Sequence, residues 1–146
     1  MATFISHSPA ETRALGESWG RRAERGLVIA LSGDLGAGKT ELVKGIARGL
    51  GVTRRVHSPT FTLVNEYDAG RGRLFHLDLY RLDTPGQIMA AGLEEFLRPD
   101  GVTVIEWAEK LKATGGRPQT ETKWVSVKIE ILGRTERKII YDGFSA

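Results

Sequence analysis

Apolar residues recur along this chain at the two spacings that distinguish strands from helices. Continuous or alternating apolar runs of strand length predict seven strands, at residues 3–6, 27–32, 61–67, 73–80, 102–107, 124–132 and 137–142. The runs at 61–67 and 73–80 are separated by five residues, which is typical of a hairpin. The last two runs, separated by 133–136, predict a second hairpin. The sheet is therefore expected to be mixed.

Helical spacing and start signals predict three helices. Ser8-Pro9-Ala10-Glu11 has the form of a capping box with proline in the first turn, and it predicts a helix to about residue 25. Leu42, Val43, Ile46 and Leu50 mark the apolar face of a second helix that begins at Lys39. Thr84-Pro85-Gly86-Gln87 opens a third helix, predicted to run to about Leu97. The polar residues 109–122 are predicted to form a surface loop.

Between the strand at 27–32 and the second helix stands Gly-Asp-Leu-Gly-Ala-Gly-Lys-Thr, residues 33–40, which matches the P-loop pattern. Glycines allow main-chain N–H groups to curl around phosphate oxygens, and the following helix N-terminus adds partial positive charge. Lys39 would span the β- and γ-phosphates of a nucleoside triphosphate, and the Thr40 hydroxyl would bind Mg²⁺. The cofactor-binding residues predicted in this segment are Gly33, Asp34, Gly36, Ala37, Gly38, Lys39, Thr40 and Glu41.

Length and composition limit the number of domains and the kinds of site, but they do not indicate a reaction. At 146 residues the chain suits one domain, 1–146. The chain has no cysteine, so it forms no disulfide and no thiolate zinc site. The first residues lack the layout of a signal peptide and no apolar run approaches membrane-spanning length, so we expect a cytoplasmic protein with no membrane partner. A net charge of +3 is too small to indicate nucleic-acid binding by itself.

Two acids stand where a P-loop enzyme needs one near its metal, at the carboxyl end of a buried strand. Glu106 ends the apolar run 102–105, and Asp78 shares one strand face with His76 and Tyr80. A carboxylate among apolar neighbours is costly unless it is paired or metal-bound. Glu106 and Asp78 are therefore predicted to hold the metal with Thr40 and, together with Lys39, to be the catalytic residues. His76 alone is more typical of a structural, hydrogen-bonded residue.

Four motifs in one order, Gly-Asp-Leu-Gly-Ala-Gly-Lys-Thr, Ser-Pro-Thr-Phe-Thr-Leu-Val-Asn-Glu-Tyr, His-Leu-Asp-Leu-Tyr-Arg-Leu and Val-Ile-Glu-Trp, resemble the TsaE (YjeE) family of P-loop ATPases. The resemblance extends over about two thirds of the chain. It implies an α/β, P-loop NTPase-like three-layer domain whose mixed sheet has parallel core strands plus antiparallel hairpins. It also implies an ATPase that uses Mg²⁺.

The same resemblance implies partners and residue roles. Family members work with the TsaD and TsaB proteins in making threonylcarbamoyladenosine in tRNA, and TsaD carries the transfer chemistry. This chain would then meet tRNA only through that complex, and its ATPase activity would be weak alone and raised by its partners. Thr60 matches a switch-like segment of the family. The adenosine end of the nucleotide would lie near Ala10, Glu11 and Thr12 and near Gly133 and Arg134.

Glu41 departs from the family, which commonly has threonine after the Lys-Thr pair. Its carboxylate has the wrong sign to contact a phosphate. Either it turns outward as an acid in the first turn of the helix, where the helix dipole favours it, or nucleotide affinity is reduced.

Three other functions fit parts of the chain. A small-molecule kinase shares the P-loop, but it needs a lid, and only the 109–122 loop could supply one. A GTPase needs a guanine-binding Asn-Lys-x-Asp or Thr-Lys-x-Asp segment, and the sequence contains neither. A tRNA-binding accessory module would use a set of arginines on predicted helices and turns: Arg21, Arg22, Arg25, Arg54 and Arg55. Such basic runs are usually solvated faces.

Overall fold

A computed structural model of the chain describes residues 1–34, 36–57, 59, 62–70, 72–97, 99–114 and 123–143. The strands within these ranges are β1 (Ala2–Ser6), β2 (Leu27–Gly33), β3 (Val64–Ala69), β4 (Gly72–Asp78), β5 (Val102–Glu106), β6 (Lys123–Ile131) and β7 (Arg137–Asp142). The α-helices are α1 (Pro9–Arg22), α2 (Lys39–Leu50) and α3 (Pro85–Ala90), and two 3₁₀ helices cover Leu93–Leu97 and Ala108–Thr114. None of the described helices has the length and apolar character needed to cross a membrane.

One sheet contains all seven described strands, in the order β1-β7-β6-β2-β5-β4-β3. The central strands β6, β2, β5 and β4 are parallel, whereas β1, β7 and β3 pair antiparallel with their neighbours. The register places Leu31, Glu106 and Asp78 in one row across β2, β5 and β4. The prediction of a mixed sheet with parallel core strands and two antiparallel hairpins is confirmed. Both predicted acids therefore lie at the edge where the P-loop begins.

Helices cover both faces of the sheet. Side chains on adjacent strand positions point to opposite faces, so neighbouring residues of one strand belong to two different apolar clusters. On one face, Ile29 and Leu31 of β2 belong to an apolar cluster with Trp19 of α1 and Ile46 of α2. On the other face, apolar residues of the strands cluster with α3 and the two 3₁₀ helices; they include Val28, Leu77, Ile105, Ile88, Leu93 and Leu111. This arrangement is the predicted three-layer order.

Two local predictions are wrong over the described residues, and the end of α1 differs from a third. The helix expected to reach Leu97 is broken, because Gly92 adopts φ of 67°, a left-handed conformation that ends α3 before a separate 3₁₀ helix begins. The surface loop expected at 109–122 begins as the 3₁₀ helix Ala108–Thr114, with Leu111 buried in the apolar cluster under α3. Residues 115–122 lie outside the described residues. Helix α1 ends at Arg22, three residues before the predicted end.

Four glycines bring α1 and α2 into main-chain contact. Gly16 and Gly20 of α1 face Gly45 and Gly49 of α2, and each pair of glycines is spaced by four residues. A Cβ atom built on Gly45 would lie 2.1 Å from the carbonyl oxygen of Arg13, and one on Gly49 would lie 2.2 Å from that of Glu17. No side chain fits at such a distance, so the two helices pack at a separation that only glycine permits. This packing fixes the N-terminal helix relative to the helix that follows the P-loop.

Gly45→Ala is expected to lower the free energy of unfolding by about 1–3 kcal/mol, because the added methyl group overpacks the helix interface. This loss would occur although alanine is favoured over glycine in an isolated helix by roughly 1 kcal/mol. Urea unfolding of the purified variants measures it.

Gly86→Ala is the matched control, because a Cβ atom there meets only Thr84 Oγ1 at 3.9 Å, an ordinary contact. It should leave stability unchanged or raise it slightly. A Gly45→Ala variant at least as stable as the unmodified protein would show that the two helices do not pack this closely in solution.

Candidate functional site

The P-loop lies between the end of β2 at Gly33 and the start of α2 at Lys39. Gly36 and Gly38 adopt φ of 80° and 103°, which side chains rarely tolerate, and these conformations let the loop curl over the helix end. Gly38 is the N-cap residue of α2, and no side chain caps the first N–H groups of the helix. Those donors therefore remain available for an anion.

Lys39 is buried, and its ammonium group bonds to the loop itself. Its Nζ atom donates to the carbonyl oxygens of Gly33 at 2.5 Å and Asp34 at 2.9 Å. The same atom lies 3.9 Å from the ring centroid of Trp107, within the range of a cation–π interaction. Burial lowers the pKa of the Lys39 ammonium, and four nearby carboxylates oppose that shift, those of Glu109, Glu106, Asp78 and Asp34.

Thr40 and Glu106 are joined by a hydrogen bond beside the loop. The Thr40 hydroxyl donates to Glu106 Oε1 at 3.1 Å, and Glu106 Oε2 lies 2.5 Å from Nε2 of the fully buried His76. The prediction that His76 is a hydrogen-bonded residue is confirmed. Its partner is Glu106, the acid predicted to lie next to the metal, and this bond fixes the position of the Glu106 carboxylate.

Asp78 lies beside Glu106 in the sheet register and is also buried. Its Oδ1 atom accepts a hydrogen bond from the main-chain N–H of Tyr80 at 2.9 Å. Asp78 and Glu106 both line a cavity of 500 Å³, a size typical of small-molecule sites. The other lining residues are Gly36, Ala37, Gly38, Lys39, Thr40, Glu41, Tyr80 and Trp107.

The residues predicted for the adenosine end lie outside the lining of this cavity. Thr12 is buried and its hydroxyl lies 2.8 Å from that of Ser6, which gives it a structural contact at the start of α1. The start of α1 meets the β6–β7 turn, where His7 Nδ1 lies 3.3 Å from Glu136 Oε2. Roles for Ala10, Glu11, Thr12 and Arg134 in nucleotide binding stay predictions. Thr60 lies outside the described residues.

Sequence reasoning missed three residues that touch the P-loop. Arg137 donates to the carbonyl oxygens of Gly36 and Ala37, and Glu109 Oε2 accepts a hydrogen bond from the Gly33 N–H at 3.2 Å. Trp107 reaches Lys39 because its φ of 59° turns the chain sharply after β5. The Val-Ile-Glu-Trp motif includes Trp107, but the sequence assigned it no contact. For Arg137 and Glu109, nothing local indicated a contact 76–101 residues away along the chain.

Glu41 turns towards α1 and not outward as an ordinary first-turn acid, and the other alternative, a reduced nucleotide affinity, stays a prediction. Its carboxylate bonds Arg13 Nη1 at 2.6 Å and lies 3.5 Å from Lys44 Nζ. Burial raises the pKa of the Glu41 carboxyl, but the hydrogen bond from Arg13 and the charges of Lys44 and Arg13 outweigh it and hold the pKa below its ordinary value. The acid thus links the start of α2 to α1 on the side of the glycine contacts.

The oxygen donors at this site suit a magnesium ion bound jointly by protein and phosphate. They do not suit a metal ion bound by protein side chains alone. Among the side chains that the structure describes, no group of three or more His, Cys, Asp or Glu residues could hold a metal. Mg²⁺ usually keeps several waters and takes one or two protein carboxylates together with phosphate oxygens. The Thr40 hydroxyl and the Glu106 and Asp78 carboxylates supply donors of that kind.

The sequence profile described as Threonylcarbamoyl adenosine biosynthesis protein TsaE matches residues 6–139. The chain belongs to the TsaE family. The protein of Bacillus subtilis (strain 168) named tRNA threonylcarbamoyladenosine biosynthesis protein TsaE is 39% identical over 134 residues, which make up 92% of this chain and 80% of the relative.

Two further similarities agree with this family membership. A Synechocystis protein of the same name is 48% identical over 106 residues, 65% of each chain. A crystal structure of YdiB from Bacillus subtilis matches with a TM-score of 0.77 at 36% identity, covering 94% of this chain and 82% of that one. The family resemblance drawn from four sequence motifs is thereby confirmed.

Glu41→Gln is expected to lower the free energy of unfolding at pH 7 by about 0.5–1 kcal/mol, because the ion pair with Arg13 is lost. A carboxyl group with a lowered pKa stabilises the folded state above its ordinary pKa and loses that effect as the pH falls. The difference between variant and unmodified protein should therefore be complete above pH 4.5 and shrink below it. Urea unfolding at pH 7, 5 and 3 measures the trend.

The exposed Glu94 offers a control, since Glu94→Gln removes a charge far from α1 and α2 and should change stability little. If the effect of Glu41→Gln did not depend on pH, the stabilising contact of Glu41 would not be ionic.

Proposed function

We propose that this chain is a cytoplasmic, Mg²⁺-dependent ATPase that supports the TsaD and TsaB proteins in forming threonylcarbamoyladenosine in tRNA. One observation carries the proposal: Lys39, Thr40, Asp78 and Glu106 surround one cavity at the carboxyl edge of the parallel strands. Membership of a family whose relatives are named for threonylcarbamoyladenosine biosynthesis supplies the biological setting.

In this proposal the main-chain N–H groups of Gly36, Gly38, Lys39 and Thr40 bind the phosphate oxygens of ATP, and the Ala37 N–H would first have to leave the carbonyl oxygen of Asp34. Lys39 leaves the carbonyl groups of Gly33 and Asp34 and places its ammonium between the β- and γ-phosphates. Its exchange of partners is favourable, because a phosphate anion attracts the buried cation more strongly than two neutral carbonyl groups do.

Thr40 and Glu106 would hold magnesium, with His76 keeping the Glu106 carboxylate in place. Magnesium bound there would neutralise negative charge on the β- and γ-phosphate oxygens. Asp78 would orient the attacking water through its carboxylate, while its contact with the Tyr80 N–H fixes the carboxylate plane.

The chain itself would not transfer the threonylcarbamoyl group. Hydrolysis of ATP needs positioning and charge neutralisation, and the residues around the cavity would supply the positioning and part of the neutralisation. Lys39 would be engaged by the β- and γ-phosphates, and Arg137 is bonded to loop carbonyl groups. A further charge for the transition state would come from Arg81, Arg71, Arg73 or Arg134, or from the TsaD or TsaB protein, with which the chain acts on tRNA indirectly.

ATP turnover by the isolated chain is expected to be slow, and adding TsaD and TsaB is expected to raise it roughly ten- to a thousandfold. Phosphate release under saturating ATP and magnesium measures both rates.

Asp78→Asn should lower turnover in the complex by about 10²–10⁴-fold, because the oriented water is lost, while ATP affinity by calorimetry stays within a few fold.

Asp142→Asn is the matched control, since this exposed aspartate ends β7 and does not line the cavity. It should leave turnover unchanged. Equal rates with and without TsaD and TsaB would reject activation by these partners, and full activity of Asp78→Asn would remove Asp78 from the mechanism.

A further inference from the structure

Arg137, the first residue of β7, directs its guanidinium at main-chain carbonyl groups. Nε donates to Ala37 at 3.1 Å and Nη2 to Gly36 at 3.2 Å, both in the P-loop. Nη1 donates to Gly133 at 2.8 Å and Glu136 at 2.9 Å, both in the turn between β6 and β7. Within the part of the chain that the structure describes, no carboxylate forms an ion pair with it. The side chain therefore joins two main-chain segments.

The P-loop needs such donors on its outer side. A loop that turns its N–H groups towards a phosphate must turn carbonyl groups away from it, and each of those groups needs a hydrogen bond. Lys39 bonds the carbonyl oxygens of Gly33 and Asp34, and Arg137 bonds those of Gly36 and Ala37. Two cations thus hold the carbonyl groups of four loop residues.

The two cations differ in what happens when phosphate binds. Lys39 lines the cavity and must release its carbonyl groups to reach a phosphate, as proposed above. Arg137 is not among the residues that line the cavity, and its four bonds do not compete with a ligand there. After phosphate binding, Arg137 is the cation that still holds the outer side of the loop.

We propose that Arg137 is a positioning residue for nucleotide binding: it locks the P-loop against the β6–β7 turn and so sets the affinity for phosphate groups. The inference rests on the proposed function, in which this loop binds the phosphates of ATP. A loop already held in its binding shape loses less conformational freedom on binding. The planar fork of arginine is required, because a lysine ammonium at the same place cannot serve both segments at once.

Calorimetric titrations with ADP and with inorganic pyrophosphate test this role in Arg137→Gln and Arg137→Lys. We expect Arg137→Gln to weaken both ligands by about ten- to a hundredfold, since hydrogen bonds from a charged group are lost. Arg137→Lys should recover only part of that loss. Pyrophosphate lacks adenosine, so a loss of similar size for both ligands locates the effect at the P-loop.

Arg25→Gln is the matched control, because Arg25 pairs with Asp100 at the opposite end of β2. It should bind both ligands as the unmodified protein does, and circular dichroism melts should show that each variant is folded. Unchanged affinity in Arg137→Gln, or a loss for ADP alone, would overturn the proposal.

If Arg137→Gln does not fold, Arg137→Lys decides the question, and undiminished affinity for both ligands in that variant would overturn the proposed role. A different result would concern the proposed function instead. If the unmodified protein bound neither ADP nor pyrophosphate, the loop would not be a phosphate site, whatever the arginine does.

Discussion

Main-chain N–H groups that converge on one point leave their carbonyl groups on the outside, and this constraint shapes the site. The P-loop meets it with glycines at φ of 80° and 103° and with two cations bonded to its carbonyl groups. One cation, Lys39, comes from the loop itself, and the other, Arg137, comes from the far end of the chain. The β6–β7 hairpin is therefore bonded to the P-loop, although it contributes no residue to that loop.

The rest of the fold brings acids and helices to that loop. Parallel pairing of β2, β5 and β4 sets Glu106 and Asp78 side by side, and the buried His76 holds the Glu106 carboxylate. Main-chain contact between α1 and α2 fixes the N-terminal helix relative to the loop, and the Arg13–Glu41 ion pair adds to it. Departure from the family at Glu41 thus adds a contact between helices, because its carboxylate bonds Arg13.

Sequence reasoning predicted what local pattern determines. The strands, the two capping boxes, the P-loop and the two acids at strand ends all follow from spacing within a few residues. The prediction that α3 reaches Leu97 was wrong, because the left-handed conformation of Gly92 ends the helix although the sequence pattern is helical on both sides of it. Arg137 and Arg13 could not be assigned, since their contacts depend on how distant elements pack. The His76 contact depends on strand order, which a single sequence does not show.

A calorimetric titration of ATP with magnesium decides whether the P-loop binds the phosphates of ATP. The proteins to compare are the unmodified chain, Lys39→Ala and Lys44→Ala, which removes a lysine from the exposed side of the same helix. We expect the unmodified chain and Lys44→Ala to bind ATP with similar affinity, and Lys39→Ala to bind it about tenfold or more weakly. Equal ATP affinity in all three proteins would show that the P-loop does not bind the phosphates.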